Sequence, residues 1–289
     1  MIESPIFVPF EGERLAAIVT IPESTPRALV PMLQGLGATR SHRYGLWART
    51  ARSLAERGLA SVRMDYPELG DSTGSFPSNM NDPPVKEATA VARVALDSLG
   101  LDAMGIVGNC LGAKTGLAMA AGMESCVSVG CILPSSPKSV LRGAGRTAPH
   151  RAARRAGKRV PRIARGVRRV VPTHRIKPRL RFIPEVSEAL ASTDVLFLYL
   201  GQEGASRRFE DAVGGLVADS GFGSSRRAEV RLIPAGNTSG MLLDLKLQPI
   251  VIEHLVGWMD ETLPAAAQHP SGDGALPKVP VPGTLERPQ

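Results

Sequence analysis

Apolar residues recur along this chain in two spacings that alternate with each other. Short apolar or alternating runs predict eight strands: Ile6–Phe10, Leu15–Ile21, Ala28–Leu33, Leu59–Met64, Met104–Val107, Val127–Leu133, Val195–Leu200 and Glu229–Ile233. Helical spacing predicts the segments between them: Leu46–Arg57, Pro84–Leu99, a helix that ends at Gly122, Arg207–Ala218 and Pro249–Glu261. Strands that alternate with helices through short loops favour an α/β fold, with a mostly parallel eight-stranded sheet and helices on both faces.

The alternation of predicted strands and helices is interrupted once and ends before the last residues of the chain. Residues 135–185 lack the strand–helix alternation, and the segment from Pro264 is rich in proline. We therefore predict a core made of residues 1–134 and 186–263, an inserted cap at 135–185 and a disordered tail at 264–289.

The positive charge is concentrated in the predicted cap. The chain has a formal net charge of +8, yet residues 125–184 contain 16 Lys or Arg and no acid, leaving 19 basic and 27 acidic residues elsewhere. Apolar residues at helical spacing between Arg151 and Val171 predict two short helices that are separated at Pro161 and carry a basic face. Such a cap suits an anionic substrate, an acidic carrier protein or a membrane surface.

Other classes of protein do not fit the sequence. No aromatic residues interleave with the basic ones, so nucleic-acid binding is not expected. Residues 1–5 do not resemble a secretory signal, and no apolar stretch reaches the ~18 residues of a membrane span. The three cysteines show no C-x-x-C spacing. We expect a cytoplasmic protein without disulfides, a metal site or a cofactor.

Gly108-Asn109-Cys110-Leu111-Gly112 lies between a predicted strand and a predicted helix. A sharp turn at this junction exposes its middle side chain at the carboxyl edge of the sheet, and it needs glycines where a Cβ atom would clash. The start of the following helix directs backbone N–H groups towards developing negative charge. Cys110 is therefore the predicted nucleophile.

Three segments in this order, Gln34–Arg40, Asp65–Gly74 and the Gly108–Gly112 turn, resemble the α/β-hydrolase superfamily. The cysteine at the nucleophile elbow is similar to a subgroup from polyketide-type biosynthesis that includes Dieckmann cyclases. The resemblance implies an oxyanion hole formed by the backbone N–H groups of Leu111 and Leu36. It also implies that the basic insertion is a cap over the active site.

The acid and the base of the usual triad are missing from their expected positions. Gly201-Gln202-Glu203-Gly204 has glycine where the family has aspartate, and Pro134–Pro137 offers no carboxylate either. In the loop after the last strand, Asn237 or Thr238 replaces the histidine, and neither side chain accepts a proton near neutral pH. We expect Thr238 to contact the substrate instead.

Four other residues are candidates for this site. His42 is the histidine placed by sequence nearest to Cys110, and Glu68 replaces a glycine in the Asp65–Ser72 loop, so both are candidate bases. Gln34 stands where many relatives have histidine and can hydrogen-bond a substrate oxygen. Asn109 adds a second amide at the turn.

The remaining cysteines and His254 fit structural roles. Cys126 and Cys131 are five residues apart on one predicted strand, which places them on opposite faces, and both are expected to be small core residues. His254 lies within the predicted last helix and is expected to be a helix-face residue.

Three functions remain open. The first is non-hydrolytic chemistry that uses the anion hole, with elimination of a carboxylate such as acetate from an O-acylated tetronate or polyketide intermediate as the best candidate. The second is acyl transfer through Cys110 by a thioesterase, acyltransferase or Dieckmann cyclase, since cysteine needs a general base less than serine does. The third is an inactive scaffold that binds a ligand or an acyl carrier protein.

Overall fold

A computed structural model describes residues 1–75, 82–133, 141–144, 179–182, 184–201, 227–235 and 245–265. Ten strands lie in these ranges: β1 (Ile2–Phe10), β2 (Glu13–Ile21), β3 (Leu29–Leu33), β4 (Ala60–Met64), β5 (Met104–Asn109), β6 (Cys126–Leu133), β7 (Leu141–Ala144), β8 (Arg179–Phe182), β9 (Asp194–Gly201) and β10 (Ala228–Pro234). The helices are α1 (Leu46–Ala55), α2 (Val85–Leu99), α3 (Leu111–Gly122), α4 (Pro184–Ser192) and α5 (Leu247–Thr262), with a short 3₁₀ turn at Arg43–Gly45 before α1.

Eight of the strands form one sheet in the order β1-β2-β4-β3-β5-β6-β9-β10. The first two pairings along this order, β1 with β2 and β2 with β4, are antiparallel, and all the others are parallel. The eight predicted strands and the mostly parallel sheet are thereby confirmed. Because β3, β4 and β5 are adjacent and parallel, the loops that follow them meet at one edge of the sheet.

Helices cover both faces of this sheet, as predicted. One face packs against α1 and α5, whose largest buried side chains are Trp47 and Trp258. The opposite face packs against α2, α3 and α4 through smaller residues such as Val91, Leu117 and Leu190. The core is thus divided into two apolar layers, one on each face of the sheet.

Two features between β6 and β9 were not predicted. The strands β7 and β8 pair antiparallel as a separate two-stranded sheet, and α4 leads from it to β9. The two basic cap helices, the helix at Arg207–Ala218 and nearly all of the 264–289 tail fall outside the described residues.

The predicted placement of Cys126 and Cys131 on opposite faces of their strand is wrong. Both are buried, as expected, but both belong to the core layer beneath α2 and α3. The reason is a register shift in the pairing of β5 with β6, where Met104 pairs with Cys126 and the next residue, Gly105, pairs with Ser128. One extra residue in β6 changes the alternation and brings both cysteines to the same side.

None of the described helices is long and apolar enough to cross a membrane.

Candidate active site

Cys110 lies at the sharp turn between β5 and α3, with backbone angles of φ 54° and ψ −110°. This conformation is costly for a residue with a side chain and is typical of functional sites. The flanking glycines are required by close packing: a Cβ atom on Gly108 would lie 2.3 Å from the Gly112 oxygen, and one on Gly112 would lie 2.1 Å from the Leu33 oxygen. The described structure therefore has the elbow that the sequence predicts, with Cys110 partly exposed.

The loop after β3 lies directly against the elbow. A Cβ atom on Gly35 would be 3.4 Å from the Cys110 Cβ and 3.5 Å from the Asn109 oxygen. Leu36 follows Gly35, and Leu111 begins α3, where the first backbone N–H groups have no partner within the helix. Both segments expected to form the oxyanion hole are thus brought to Cys110, and the role of their N–H groups stays a prediction.

His42 is held in a hydrogen-bonded position beside the elbow. Its Nδ1 accepts from the backbone N–H of Arg43 at 2.7 Å, and its Nε2 lies 2.9 Å from the side-chain amide of Asn109. The Asn109 atom at 2.9 Å is Nδ2, an NH₂ group that donates, so each ring nitrogen of His42 faces an N–H donor, and a neutral imidazole can accept at only one of its two nitrogens. The Trp47 ring packs edge-on against the His42 ring, with 5.2 Å between the two ring centroids.

This environment keeps the His42 ring neutral. Burial, and to a smaller extent the positive charge of Arg43, lower the pKa of His42 to about 4. Each ring nitrogen faces an N–H donor, Nδ1 that of the Arg43 backbone and Nε2 that of the Asn109 side chain. The structure thus joins two of the predicted site residues, His42 and Asn109, in an arrangement that favours positioning over proton transfer.

Gln34 is completely buried, and neither atom of its side-chain amide has a hydrogen-bond partner among the described residues. Its backbone oxygen accepts from the Tyr66 hydroxyl at 3.2 Å. Burial raises the pKa of Tyr66, and a charge on Cys110 would raise it further, since the two side chains are close. Tyr66 was not predicted as a site residue from the sequence. It follows β4 by two residues, which places it at the carboxyl edge of the sheet.

The loop from Asp65 to Ser72 is fixed by a buried carboxylate. Asp65 is fully buried and accepts from the backbone N–H of Arg40 at 2.6 Å, and the Arg40 guanidinium pairs with it as well. Glu68 is exposed on this loop with φ 66°, a conformation that suits glycine better. Arg40 thus ties the Glu68 loop to the segment that contains Gln34 and His42.

Several predicted residues fall outside the described part of the chain. These are Thr238 and Asn237, together with the segments 202–204 and 134–137 in which the acid of the triad was sought. Most of the basic cap is also outside it, so docking of an acidic carrier protein stays a prediction. His254 is described, and its Nδ1 lies 3.5 Å from the Arg231 guanidinium, on α5 and away from Cys110. Among the described residues no group of three His, Cys, Asp or Glu is placed to hold a metal ion.

We expect Cys110 to be the most reactive thiol of the native protein. Cys126 and Cys131 are 3% and 0% exposed, and burial raises the pKa of each thiol, that of Cys126 to about 12. Only Cys110 combines exposure with a helix start, so iodoacetamide should modify it roughly tenfold faster or more. Peptide mapping measures this, and the Cys110→Ser variant should lose native labelling but keep labelling in urea. Preferential modification of Cys126 or Cys131 would contradict the assignment.

Comparisons with known proteins agree with this geometry at the level of the fold. No family model matches the chain, and no curated protein matches it significantly by sequence. Solved structures do match. A dienelactone hydrolase from Anabaena variabilis is 15% identical, with a TM-score of 0.54 over 91% of this chain and 99% of its own. DcsB, solved in complex with a substrate analogue, is 12% identical, with a TM-score of 0.58 over 91% of this chain and 100% of its own.

A third matching structure is that of a serine hydrolase. XC6422 from Xanthomonas campestris, described as an α/β serine hydrolase without a lid, is 18% identical, with a TM-score of 0.52 over 91% of this chain and 96% of its own. At these identities the similarity concerns the fold and carries no substrate with it. With its eight-stranded sheet and its strand–elbow–helix turn at Cys110, the chain has the α/β-hydrolase fold.

Proposed function

We propose that this protein is an enzyme that binds an O-acylated small molecule at the Cys110 elbow and eliminates a carboxylate without hydrolysis. The observation that carries the proposal is the environment of His42, which is buried and has an N–H donor facing each of its ring nitrogens. Hydrolysis on this fold needs a histidine that takes a proton from the nucleophile or from water. His254, the other described histidine, lies on α5 beside Arg231.

Elimination makes different demands on the site. A base removes a proton from the carbon next to the acyloxy-bearing carbon, the electron pair becomes the new C=C bond, and the C–O bond breaks. The carboxylate leaves with both of its oxygens and needs hydrogen-bond donors. The backbone N–H groups of Leu36 and Leu111 suit this role, because the elbow packing brings both segments to Cys110. No covalent intermediate is required.

Glu68 is the candidate for the base. Its loop is tied to the segment after β3 by the pairing of Arg40 with the buried Asp65. Its conformation, with φ 66°, shows that the chain accommodates a carboxylate where glycine would be easier. Gln34, Asn109 and Thr238 are proposed to orient the substrate.

Product analysis in ¹⁸O-labelled water tests this function. An acetyl ester whose alcohol carbon is flanked by an acidic C–H is incubated with the protein, and the products are measured by mass spectrometry and NMR. We expect an alkene and unlabelled acetate. Glu68→Gln should lower the rate about 10²-fold or more, because a general base is removed, while Cys110→Ala should change it little. An alcohol product with ¹⁸O in the acetate would overturn the proposal.

Acyl transfer through Cys110 is the second candidate, and the strained backbone of Cys110 favours it. In this reaction Sγ bonds to the acyl carbon, the bond to the leaving group breaks, and the leaving group takes the thiol proton. The same substrate would then give an acyl adduct on the Cys110 peptide. Cys110→Ala would lower the rate on the order of 10³-fold or more, so the two functions differ in which variant loses activity.

A further inference from the structure

A groove runs along the outside of the molecule between α2 and α3. Two cavities, of about 420 and 550 Å³, share Arg93, Gly122 and Met123 as lining residues, so they form one continuous depression. A Cβ atom on Gly122, the last residue of α3, would meet no neighbour within 4 Å, so the groove is open at this point. This surface lies on the face of the sheet opposite to α1 and α5.

The half of the groove nearer the start of α2 is mostly apolar and begins at Val85. Met119 and Met123 are 1% and 8% exposed, and Ala90 and Ala118 are half-buried on the two helices. Because alanine has no side chain beyond Cβ, the helices leave a space between them that neither fills. Methionine side chains are flexible and adapt to the shape of what they contact. This half of the groove therefore suits short aliphatic side chains.

The other half of the groove is acidic and lies at the amino edge of the sheet, where the parallel strands begin. Asp97, Asp102 and Glu124 line it and are exposed. Asp102 precedes β5 by two residues, and Glu124 precedes β6 by two. Among the described residues, no ion pair includes any of these three carboxylates. Arg93 is the one cation among the lining residues of this half, so the acidic half attracts a further cation.

The chain beyond α5 starts at the same edge of the sheet. The backbone oxygen of Leu263 accepts from the Arg27 guanidinium at 3.1 Å, and a Cβ atom on Gly105, the second residue of β5, would lie 3.4 Å from the Leu263 side chain. Asp102, three residues before Gly105, is at most ~11 Å from it along the chain. The eleven residues 266–276 span roughly 34 Å at about 3.1 Å per residue. The acidic half of the groove is therefore within reach of the tail.

The tail carries an apolar pattern with a period of three. Between Leu276 and Leu285 it has proline at positions 277, 280 and 282, which favours the polyproline II conformation. This conformation has three residues per turn and no internal hydrogen bonds, so side chains three positions apart lie on one edge. That edge of the tail is apolar and consists of Leu276, Val279, Pro282 and Leu285. Polyproline II segments with such an edge are suited to binding in grooves.

We propose that residues 276–285 bind in the groove between α2 and α3. Lys278 lies in the acidic half, and the apolar edge of the tail packs against the apolar half. The direction fits, because the tail meets the amino edge of the sheet first. From Lys278 to Leu285 the tail covers about 22 Å, which is the length of the 15-residue α2. Since α3 begins directly after Cys110, the bound tail braces the helix that carries the elbow.

Disulfide trapping in the full chain tests this contact. In a Cys110→Ser background, Ala90→Cys places one cysteine in the groove and Val281→Cys places another in the tail, and the protein is treated with oxidised glutathione. The control replaces the first of these by Ser98→Cys, since Ser98 is exposed on α2 and does not line the groove. The pair with Ala90→Cys should form a bond within one chain at least about fivefold faster than the control, because a disulfide needs closely spaced Cα atoms. Intact mass and peptide mapping measure both bonds.

Substitutions in the tail test the two kinds of contact separately. Val279→Asp places a carboxylate on the apolar edge and should slow trapping to the rate of the Ser98→Cys control. Thr284→Asp adds the same charge on a different edge and should change the rate less than about twofold. Lys278→Glu should slow trapping roughly threefold or more, and Asp102→Lys should restore part of that loss in the double variant. Thermal unfolding of each variant checks that the core is folded.

Three outcomes would refute binding of the tail to its own groove. These are equal trapping rates for Ala90→Cys and Ser98→Cys, no response to Val279→Asp, and bonds that form only between two chains. In the last case the groove would bind the tail of a second copy. None of these measurements involves the reaction at Cys110, so a failed elimination assay leaves the test of this proposal intact.

Discussion

Replacing Gly112 by alanine is expected to lower the free energy of unfolding by about 3 kcal/mol or more. The added Cβ would lie 2.1 Å from the Leu33 oxygen and 2.8 Å from the Gln34 oxygen, and both are backbone atoms at the end of β3. A flexible side chain could move away, but a strand in the middle of the sheet cannot. At this size of protein the loss corresponds to a fall in Tm of roughly 6–12 °C.

Gly122→Ala is the matched control, because Gly122 is the last residue of the same helix, α3. A Cβ atom there would have no neighbour within 4 Å, so alanine should leave stability unchanged or raise it by up to ~1 kcal/mol. Thermal and urea unfolding measure both variants. Equal, small changes for Gly112→Ala and Gly122→Ala would contradict the close packing between elbow and β3 on which the site geometry depends.

The central sheet was predictable because inner strands such as β3 and β4 are buried along their whole length and therefore form short apolar runs. Helix α4 was missed although Pro184 begins it and Val186, Ala189 and Leu190 follow at helical spacing. The long basic segment before it masked this signal. The small sheet of β7 and β8 has four-residue strands, which are too short for alternation to be recognised.

The active site was predictable only in part. Cys110 and its glycines form a local motif, so their geometry follows from neighbouring residues. The contact between His42 and Asn109 joins residues 67 positions apart and depends on how two loops meet at the sheet edge. The sequence also cannot reveal a register shift such as the one at Gly105, which is why the faces of the strand cysteines were predicted wrongly.

Asp65→Asn is expected to destabilise the protein by about 3–5 kcal/mol. The Asp65 carboxylate is fully buried and accepts from the backbone N–H groups of Arg40, at 2.6 Å, and Asp71, at 3.2 Å, while also pairing with the Arg40 guanidinium. A carboxamide of the same shape has one acceptor oxygen, and its NH₂ group would face these donors. The substitution leaves the guanidinium without its buried counter-charge and removes the link between the loops after β3 and β4.

Asp71→Asn provides the comparison, because Asp71 pairs with the same guanidinium while its own side chain is 62% exposed. Exposed ion pairs contribute little to the free energy of unfolding, so Asp71→Asn should lower it by no more than ~1 kcal/mol. Added salt should make the difference between this variant and the parent protein smaller still. Urea unfolding of both single variants and the double variant measures the two pairings separately. Similar losses of unfolding free energy for Asp65→Asn and Asp71→Asn would mean that burial does not strengthen the pairing of Arg40 with Asp65. The Glu68 loop would then be held by its own turns and not by Arg40.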